Sequence, residues 1–312
     1  MHQETGSTRY ILDVARVIQS AARYHSLRKT PVERLLNQEG DYIRKRLTYR
    51  PNQHAVMVCA RNESKRLPCL MSGLAKQVQG VNVFVVDNGS SDETAELAKN
   101  LGATVISEKK EGLINALISG FKYFAQKPIQ PNTILLTDAD CLPVPTWSED
   151  MNRVAHRVLD HNVGGQIFAP FLFQGSLTKD LIRSAVAVTI DARYWLKGKS
   201  RAKGANGLLL TDNQKGILNT LSQPSEKNII TGTDGYIHDQ VLTCGGKGYF
   251  NFSLKSIVIT DGCRYKSLLD LFNTFLFPKH REVLYQEWFK ASAGGVRYSV
   301  RNRPTFLTYE RN

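Results

Sequence analysis

Between Ala55 and Thr137 short apolar runs of strand type alternate with segments of helical spacing, and this alternation constrains the fold more than any other feature of the chain. Ala55-Val-Met-Val-Cys-Ala60, Val81-Asn-Val-Phe-Val-Val86, Ala103 to Ser107 and Thr133-Ile-Leu-Leu-Thr137 read as strands, with helices at Leu67 to Gln77, Asp92 to Leu101 and Gly112 to Ala125. Strands joined through helices of about ten to fifteen residues lie parallel, because the chain must cross back to the starting edge of the sheet before it can begin the next strand. The expected class is therefore α/β, a mostly parallel sheet flanked by helices. Ligands of such sheets bind beyond the carboxyl ends of the strands, where Arg61, Asp87 and Asp138 fall.

The regions on either side are read from the same periodicities. Tyr10, Ile11, Val14, Ala15, Ile18, Ala21, Ala22 and His25 recur at the spacing of an amphipathic helix, and Thr30-Pro31 with Glu33 opens a second one that Gly40 is expected to interrupt or end. These make a helical N-terminal extension over residues 1–50. After Trp147 the pattern gives a helix at Glu149 to Leu159, a strand-like stretch at Gly165 to Phe173, a helix at Thr178 to Trp195 and glycine-rich turns at Gly198 to Gly207. Residues 51–262 form one domain in this reading, and residues 263–312 a basic C-terminal tail that holds the amphipathic segment Leu268 to Phe277.

Composition excludes several classes. With 312 residues, 42% of them hydrophobic and 22% charged, the chain is an ordinary globular one. Its five cysteines are odd in number and form no C-x-x-C pair, which argues against a disulfide framework and a zinc cluster. No apolar run approaches the roughly 18 residues of a membrane span, and the N-terminus lacks the pattern of a signal peptide, so a cytoplasmic location is expected. The net charge of +13 sits in the flanks: residues 1–50 carry ten basic and five acidic side chains, whereas residues 51–150 carry nine and eleven. That distribution suits an acidic cleft holding a cation, with basic surface left for a polyanion or an anionic membrane face. A basic nucleic-acid-binding protein is the reading from another class, but no nucleic acid is expected as partner, because the motif-bearing segment is net negative and no nucleic-acid motif is present.

The sharpest chemical signal is Asp138-Ala-Asp140 directly after an apolar strand. Side chains two apart on an extended chain point the same way, so both carboxylates can face one hard cation, Mg²⁺ or Mn²⁺, shared with a diphosphate. The plain alternative is a pair of aspartates that end the strand and open a turn towards Pro143. Asp87 ends the second strand ahead of Asn-Gly-Ser-Ser, and its carboxylate could accept the imide N–H of a uracil or simply form an Asx turn. Cys59-Ala-Arg-Asn-Glu63 follows the first strand and could line the same crevice or be a polar loop.

Taken together, Val56-Met-Val-Cys-Ala-Arg-Asn-Glu63, Val83-Phe-Val-Val-Asp-Asn-Gly-Ser-Ser-Asp-Glu-Thr94, Lys110-Glu-Gly-Leu-Ile-Asn-Ala116 and Ile134-Leu-Leu-Thr-Asp-Ala-Asp140 give the chain a resemblance to the family 2 glycosyltransferases of the GT-A fold. The resemblance implies a Rossmann-like sheet whose residues 51–147 hold a nucleotide-diphospho-sugar and whose residues 148–262 supply the acceptor side and the base. It implies that Asp87 holds the base, usually uracil, beside the turn Ala60, Arg61, Asn62 and Glu63. Lys110 and Gly112 would lie near the diphosphate or ribose, Asp138 at the ribose or sugar, and Asp140 on a Mn²⁺ or Mg²⁺ ion bridging the phosphates.

Further along, Thr233-Asp-Gly-Tyr-Ile-His-Asp239-Gln-Val-Leu242 followed by Gly248-Tyr249 fits the family's layout for a catalytic acid. Asp239 is favoured as general base over Asp234, while His238 stands where the family commonly has glutamate and reads as a half-buried helix residue. Lys203-Gly-Ala-Asn-Gly207 resembles a glycine-rich loop near the sugar, which would bring in Gly204 and Asn206, although a surface turn explains it nearly as well. His280 is a candidate third metal ligand or part of an exposed basic loop. The implied reaction is inverting transfer of a sugar, with a UDP-sugar as donor, to a hydroxyl of a glycan or lipid-linked acceptor. The alternatives are a retaining GT-A transferase and a catalytically dead sugar-nucleotide binder. The basic flanks also allow a peripheral seat on the inner face of a membrane.

Overall fold

Successive side chains of a strand face opposite sides of the sheet, and the first strand, His54–Ala60 (β1), uses that alternation to build two cores. Val56, Val58 and Ala60 enter one hydrophobic cluster, and Ala55 and Met57 enter the other. A strand buried on both faces needs helices on both, and the computed structural model supplies them. It describes residues 6–50, 54–127, 131–159, 164–174, 206–211, 215–222 and 232–261.

The elements in order begin with α1 (Gly6–Lys29), α2 (Val32–Leu47), β1, α3 (Leu67–Ala75), β2 (Val81–Asp87), α4 (Thr94–Asn100), β3 (Thr104–Ser107), α5 (Leu113–Ala125) and β4 (Thr133–Asp138). There follow β5 (Cys141–Pro143), α6 (Trp147–Val158), β6 (Gly165–Phe168), β7 (Phe171–Gln174), β8 (Asn206–Leu210), α7 (Lys215–Ser222), α8 (Gly232–Thr243), β9 (Lys247–Phe250), a 3₁₀ turn (Leu254–Ser256) and β10 (Val258–Asp261). A seven-stranded sheet runs in the order β3-β2-β1-β4-β8-β6-β9, and β5, β10 and β7 form a small second sheet. The pairs β1–β2, β1–β4, β2–β3 and β6–β9 are parallel, and β8 is antiparallel to both β4 and β6. The mostly parallel α/β sheet expected from the sequence is therefore present.

One face of the large sheet is covered by residues of α1, α2, α3 and α6, the other by α5, α7 and α8. Helix α5 lies close to the strands at Gly120, where an added Cβ would sit 2.3 Å from the Met57 sulfur. On the same helix Phe121 and Phe124 are fully or nearly fully buried, each contributing roughly 2–3 kcal/mol of transfer free energy. Trp147, also fully buried, anchors α6, and its indole N–H donates to Asn206 Oδ1 at 2.8 Å.

Three expectations need correction. Helix α2 runs through Gly40 to Leu47, because Leu35, Ile43 and Leu47 give it a buried face, which outweighs the roughly 1 kcal/mol that glycine costs in a helix. The stretch expected as one strand at Gly165 to Phe173 is two, β6 in the large sheet and β7 in the small one, divided at Ala169-Pro170. Asn206 and Gly207, expected in a glycine-rich turn, begin β8, a wholly buried strand between β4 and β6. The helix expected at Thr178 to Trp195 and the tail with Leu268 to Phe277 lie outside the described residues. Cys59, Cys69, Cys141 and Cys244 are free thiols, two buried and two partly so, while Cys263 is not described. Among the described residues no helix is long and apolar enough to cross a membrane.

Candidate active site

The chain leaves β1 for β2 and β3 on one side and returns through β4 on the other, so the strand order reverses at β1 and opens a crevice at its carboxyl end. Register brings the candidate residues to that point: Ala60 pairs with Asp87, Cys59 with Asp138, and Asp87 with Ser107.

Asp87 ends β2 at 7% exposure, and its Oδ1 is buried with no hydrogen-bond partner. A carboxylate oxygen withheld from water and from the protein costs the fold about 1–3 kcal/mol. It is an acceptor without a donor, set at the crevice of the sheet. The rest of the strand tip is fully engaged. The Asn88 amide N–H donates to the Ala60 carbonyl at 2.9 Å. Asn88 Nδ2 reaches the Lys110 carbonyl at 2.8 Å, and its Oδ1 accepts from the Gly112 amide at 2.7 Å. Asn88 thus ties the end of β2 to the loop that carries Lys110. Gly112 has φ of +119°, a region essentially reserved for glycine, and that turn lets α5 start directly beneath the loop.

The Ala60–Glu63 turn is strapped to the 90–94 loop. Asn62, itself at φ +55°, accepts from the Ser91 amide at 2.8 Å, and its own amide donates to Ser90 Oγ at 3.0 Å. The Glu63 amide donates to Thr94 Oγ1 at 2.8 Å, and the Ser64 amide to Asp92 Oδ2 at 3.2 Å. Burial opposes ionisation of Asp92, yet the hydrogen bonds from Thr94 and Ser64 prevail and hold its carboxyl below the usual carboxylate range. Arg61 projects across the mouth and donates two hydrogen bonds to Glu111, at 2.9 and 2.6 Å. Both partners are partly exposed, so the pair contributes at most about 1 kcal/mol, and its geometry can yield to a ligand.

At the end of β4, Asp138, Asp140 and Cys141 place one ligand atom each within 4.8 Å of one another. Burial, reinforced by Asp140 and Asp138, pushes the Cys141 thiol well up, and its Sγ lies 3.6 Å from Asp140 Oδ1 as a weak donor. The two carboxylates make a hard-oxygen pair that fits Mn²⁺ or Mg²⁺. The Asp140 carbonyl accepts a hydrogen bond from Tyr24 of α1 at 2.7 Å. Beneath Asp138 runs an apolar crevice lined by Met57, Cys59, Leu113, Leu117, Leu136 and Ile237.

Ile237 belongs to α8, the helix that carries Asp234 and Asp239, so that helix passes beside the crevice. The side chains of those two aspartates lie outside the described residues, as do Gly204 and His280 altogether. His238 is half-buried, its ring edge-on to Phe168 with centroids 6.1 Å apart, as expected of a packed helix residue. Asn206 does not join the site. Fully buried, it donates to the carbonyls of Pro170 at 2.7 Å and Ser256 at 2.8 Å while accepting from Trp147, which uses its side chain as a clamp between β8, α6 and the small sheet. Sequence reasoning missed three contributors. Asn88 and Glu111 stand inside the quoted motifs without an assigned role, and Tyr24 gave no signal, since its partner is 116 residues away.

Two curated relatives, both named 4,4'-diaponeurosporenoate glycosyltransferase, match short stretches: one from Staphylococcus haemolyticus is 47% identical over 51 residues, 16% of this chain and 14% of that protein. The other, from Staphylococcus aureus, is 35% identical over 72 residues, 23% of this chain and 19% of that one. The matches thus span under a fifth of the relatives' length. Among solved structures, a mannosyltransferase from Pyrobaculum calidifontis in complex with GDP-Man and Mn²⁺ aligns at 16% identity with a TM-score of 0.48, covering 91% of this chain and 76% of that one. The model of glycosyl transferase family 2 matches residues 55–212, which is 158 of the 312 residues and takes in every strand that forms the crevice. The chain belongs to glycosyl transferase family 2.

Proposed function

We propose that the chain is a metal-dependent, inverting glycosyltransferase that moves a sugar from a UDP-sugar to a hydroxyl of a glycan or lipid-linked acceptor. The observation that carries this reading is the unpartnered Asp87 oxygen at the switch point of the sheet. A carboxylate is acceptor-only, so its complement is an N–H donor, and the imide N–H of uracil is such a group. The strapped turn Ala60, Arg61, Asn62 and Glu63 lies beside that position, and Lys110 and Gly112 follow on the neighbouring loop, where a ribose and diphosphate attached to the base would extend.

Asp138 and Asp140 would hold a divalent cation, Mn²⁺ or Mg²⁺, which when bound offsets the charge that builds on the diphosphate leaving group. The chain's own residues do the remaining work. Asp87 fixes the base, Asp138 meets the ribose or sugar, and Asp239 takes the proton of the attacking hydroxyl as general base. Attack from the face opposite the diphosphate inverts the anomeric centre. The basic flanks, together with Tyr10, Ile11 and Ile18 exposed on α1, support peripheral association with an anionic membrane face.

The test is transfer by Asp239→Asn. It is expected to lose at least about a hundredfold in kcat, the scale of general-base catalysis, with UDP affinity unchanged. Full activity in this variant, or loss confined to Asp234→Asn, would remove Asp239 as the base.

A further inference from the structure

Helix α1 precedes the family-matched residues and contributes no strand to either sheet, yet one of its side chains touches the turn that carries the candidate metal ligands. Tyr24 is 2% exposed, and its hydroxyl donates to the Asp140 carbonyl at 2.7 Å. The neighbouring residue fixes the helix from which it reaches. Arg23 donates from Nη2 to both Glu39 oxygens of α2, at 3.0 and 2.8 Å, and to Ser72 Oγ of α3. Three helices are tied together one residue away from the hydroxyl. α1 also packs against α3, β5, β10 and the 3₁₀ turn, so the hydroxyl is held from several sides.

Asp140 stands between two strands that belong to different sheets, β4 ending at Asp138 and β5 beginning at Cys141. Its backbone is therefore a junction whose position neither sheet alone defines. A carboxylate that must share a cation with Asp138 needs its Cα placed to within about half an ångström. The buried Tyr24 hydrogen bond supplies that restraint on the backbone, while the Cys141 thiol at 3.6 Å addresses the carboxylate itself.

We infer that Tyr24 is a positioning residue for Asp140, which makes the N-terminal helices a working part of the donor site. The inference rests on the reading of Asp138 and Asp140 as cation ligands. Tyr24 acts through the Asp140 main chain. Partners of metal ligands typically change metal affinity by 10–100-fold when removed, and a restraint applied through the backbone belongs at the lower end of that range.

The experiment uses the full chain as wild type, Tyr24→Phe and Tyr42→Phe. Tyr42 provides the control, because its hydroxyl also joins the N-terminal helices to a backbone carbonyl, that of Ala75 at 3.3 Å, but has no link to Asp140. Mn²⁺ affinity is measured by electron paramagnetic resonance, UDP affinity without metal by calorimetry, and folding by thermal unfolding. The expected result is Mn²⁺ binding weakened about tenfold in Tyr24→Phe alone, with metal-free UDP affinity equal in all three proteins. Unchanged Mn²⁺ affinity in Tyr24→Phe overturns the inference and leaves the cation site standing. Equal loss in both variants also overturns it, since a general effect on the fold then accounts for the change. A wild type that binds no Mn²⁺ overturns the cation-site reading and the inference with it.

Discussion

Asp87 carries a cost to the fold that the proposed nucleotide site would explain. Its buried Oδ1 has no donor, so replacing it removes an unsatisfied acceptor. Asp87→Ala is therefore expected to leave the thermal midpoint unchanged or raise it, while weakening UDP binding about 10–100-fold, the equivalent of a hydrogen bond of about 1.5–3 kcal/mol to a charged group. Calorimetry and thermal unfolding on the same preparation separate the two effects. A variant that melts lower and binds UDP as well as wild type would show that the carboxylate is structural. At this scale the sequence was informative where residues act locally. The positions of Asp87 and Asp138 at strand ends were legible because each closes an apolar run, and Asp140 follows two residues after Asp138. Asn206 was not, because its partners Trp147, Pro170 and Ser256 are between 36 and 59 residues away, and nothing in Lys203-Gly-Ala-Asn-Gly207 distinguishes a buried clamp from a flexible turn.

At the scale of elements, β1, β2 and β4 were legible because each is a mostly apolar run buried on both faces, whereas the edge strand β3 has one buried residue and was legible from its place in the strand–helix alternation. What comes later depends on non-local pairing. Ala169-Pro170 divides one apparent strand into two that belong to different sheets, and β8 finds its place only by pairing with β4 and β6. Asn206 holds that junction. Asn206→Ala is expected to destabilise the chain by roughly 3–5 kcal/mol, since it orphans the Trp147 N–H and two buried carbonyls, and urea unfolding measures the loss. A cost below about 1 kcal/mol would mean that the clamp is redundant. The opposite end of β1 carries a pH-dependent contribution. Burial lowers the proton affinity of His54, and His156 lowers it further, against the raising effect of its hydrogen bond with Gln79. A histidine depressed in the folded state contributes stability in full above its unfolded value near 6.5 and loses it as pH falls through the folded value. Unfolding free energy should therefore decline below about pH 6.5, and less steeply in His54→Gln. Identical pH profiles for the two proteins would contradict this assignment.

For the whole molecule, charge and topology separate two tasks. Positive charge is concentrated outside the motif-bearing segment, which is net negative between residues 51 and 150, and the sheet brings Asp87 and Asp138 of that segment to the same end of β1. Topology was inferable from the alternation of strands and helices. The role of the N-terminal helices was not, because amphipathic spacing shows that α1 packs but cannot show against what. In the proposed function the crevice between Asp87 and the Asp138–Asp140 pair binds a uridine diphosphate with a divalent cation. The most direct measurement is calorimetric titration of the full chain with UDP, with GDP as comparison, first with Mn²⁺ and then with EDTA. The account predicts binding of UDP that weakens at least about tenfold when EDTA removes the cation, with GDP weaker. Absence of binding to either nucleotide, or UDP binding indifferent to EDTA, would contradict it.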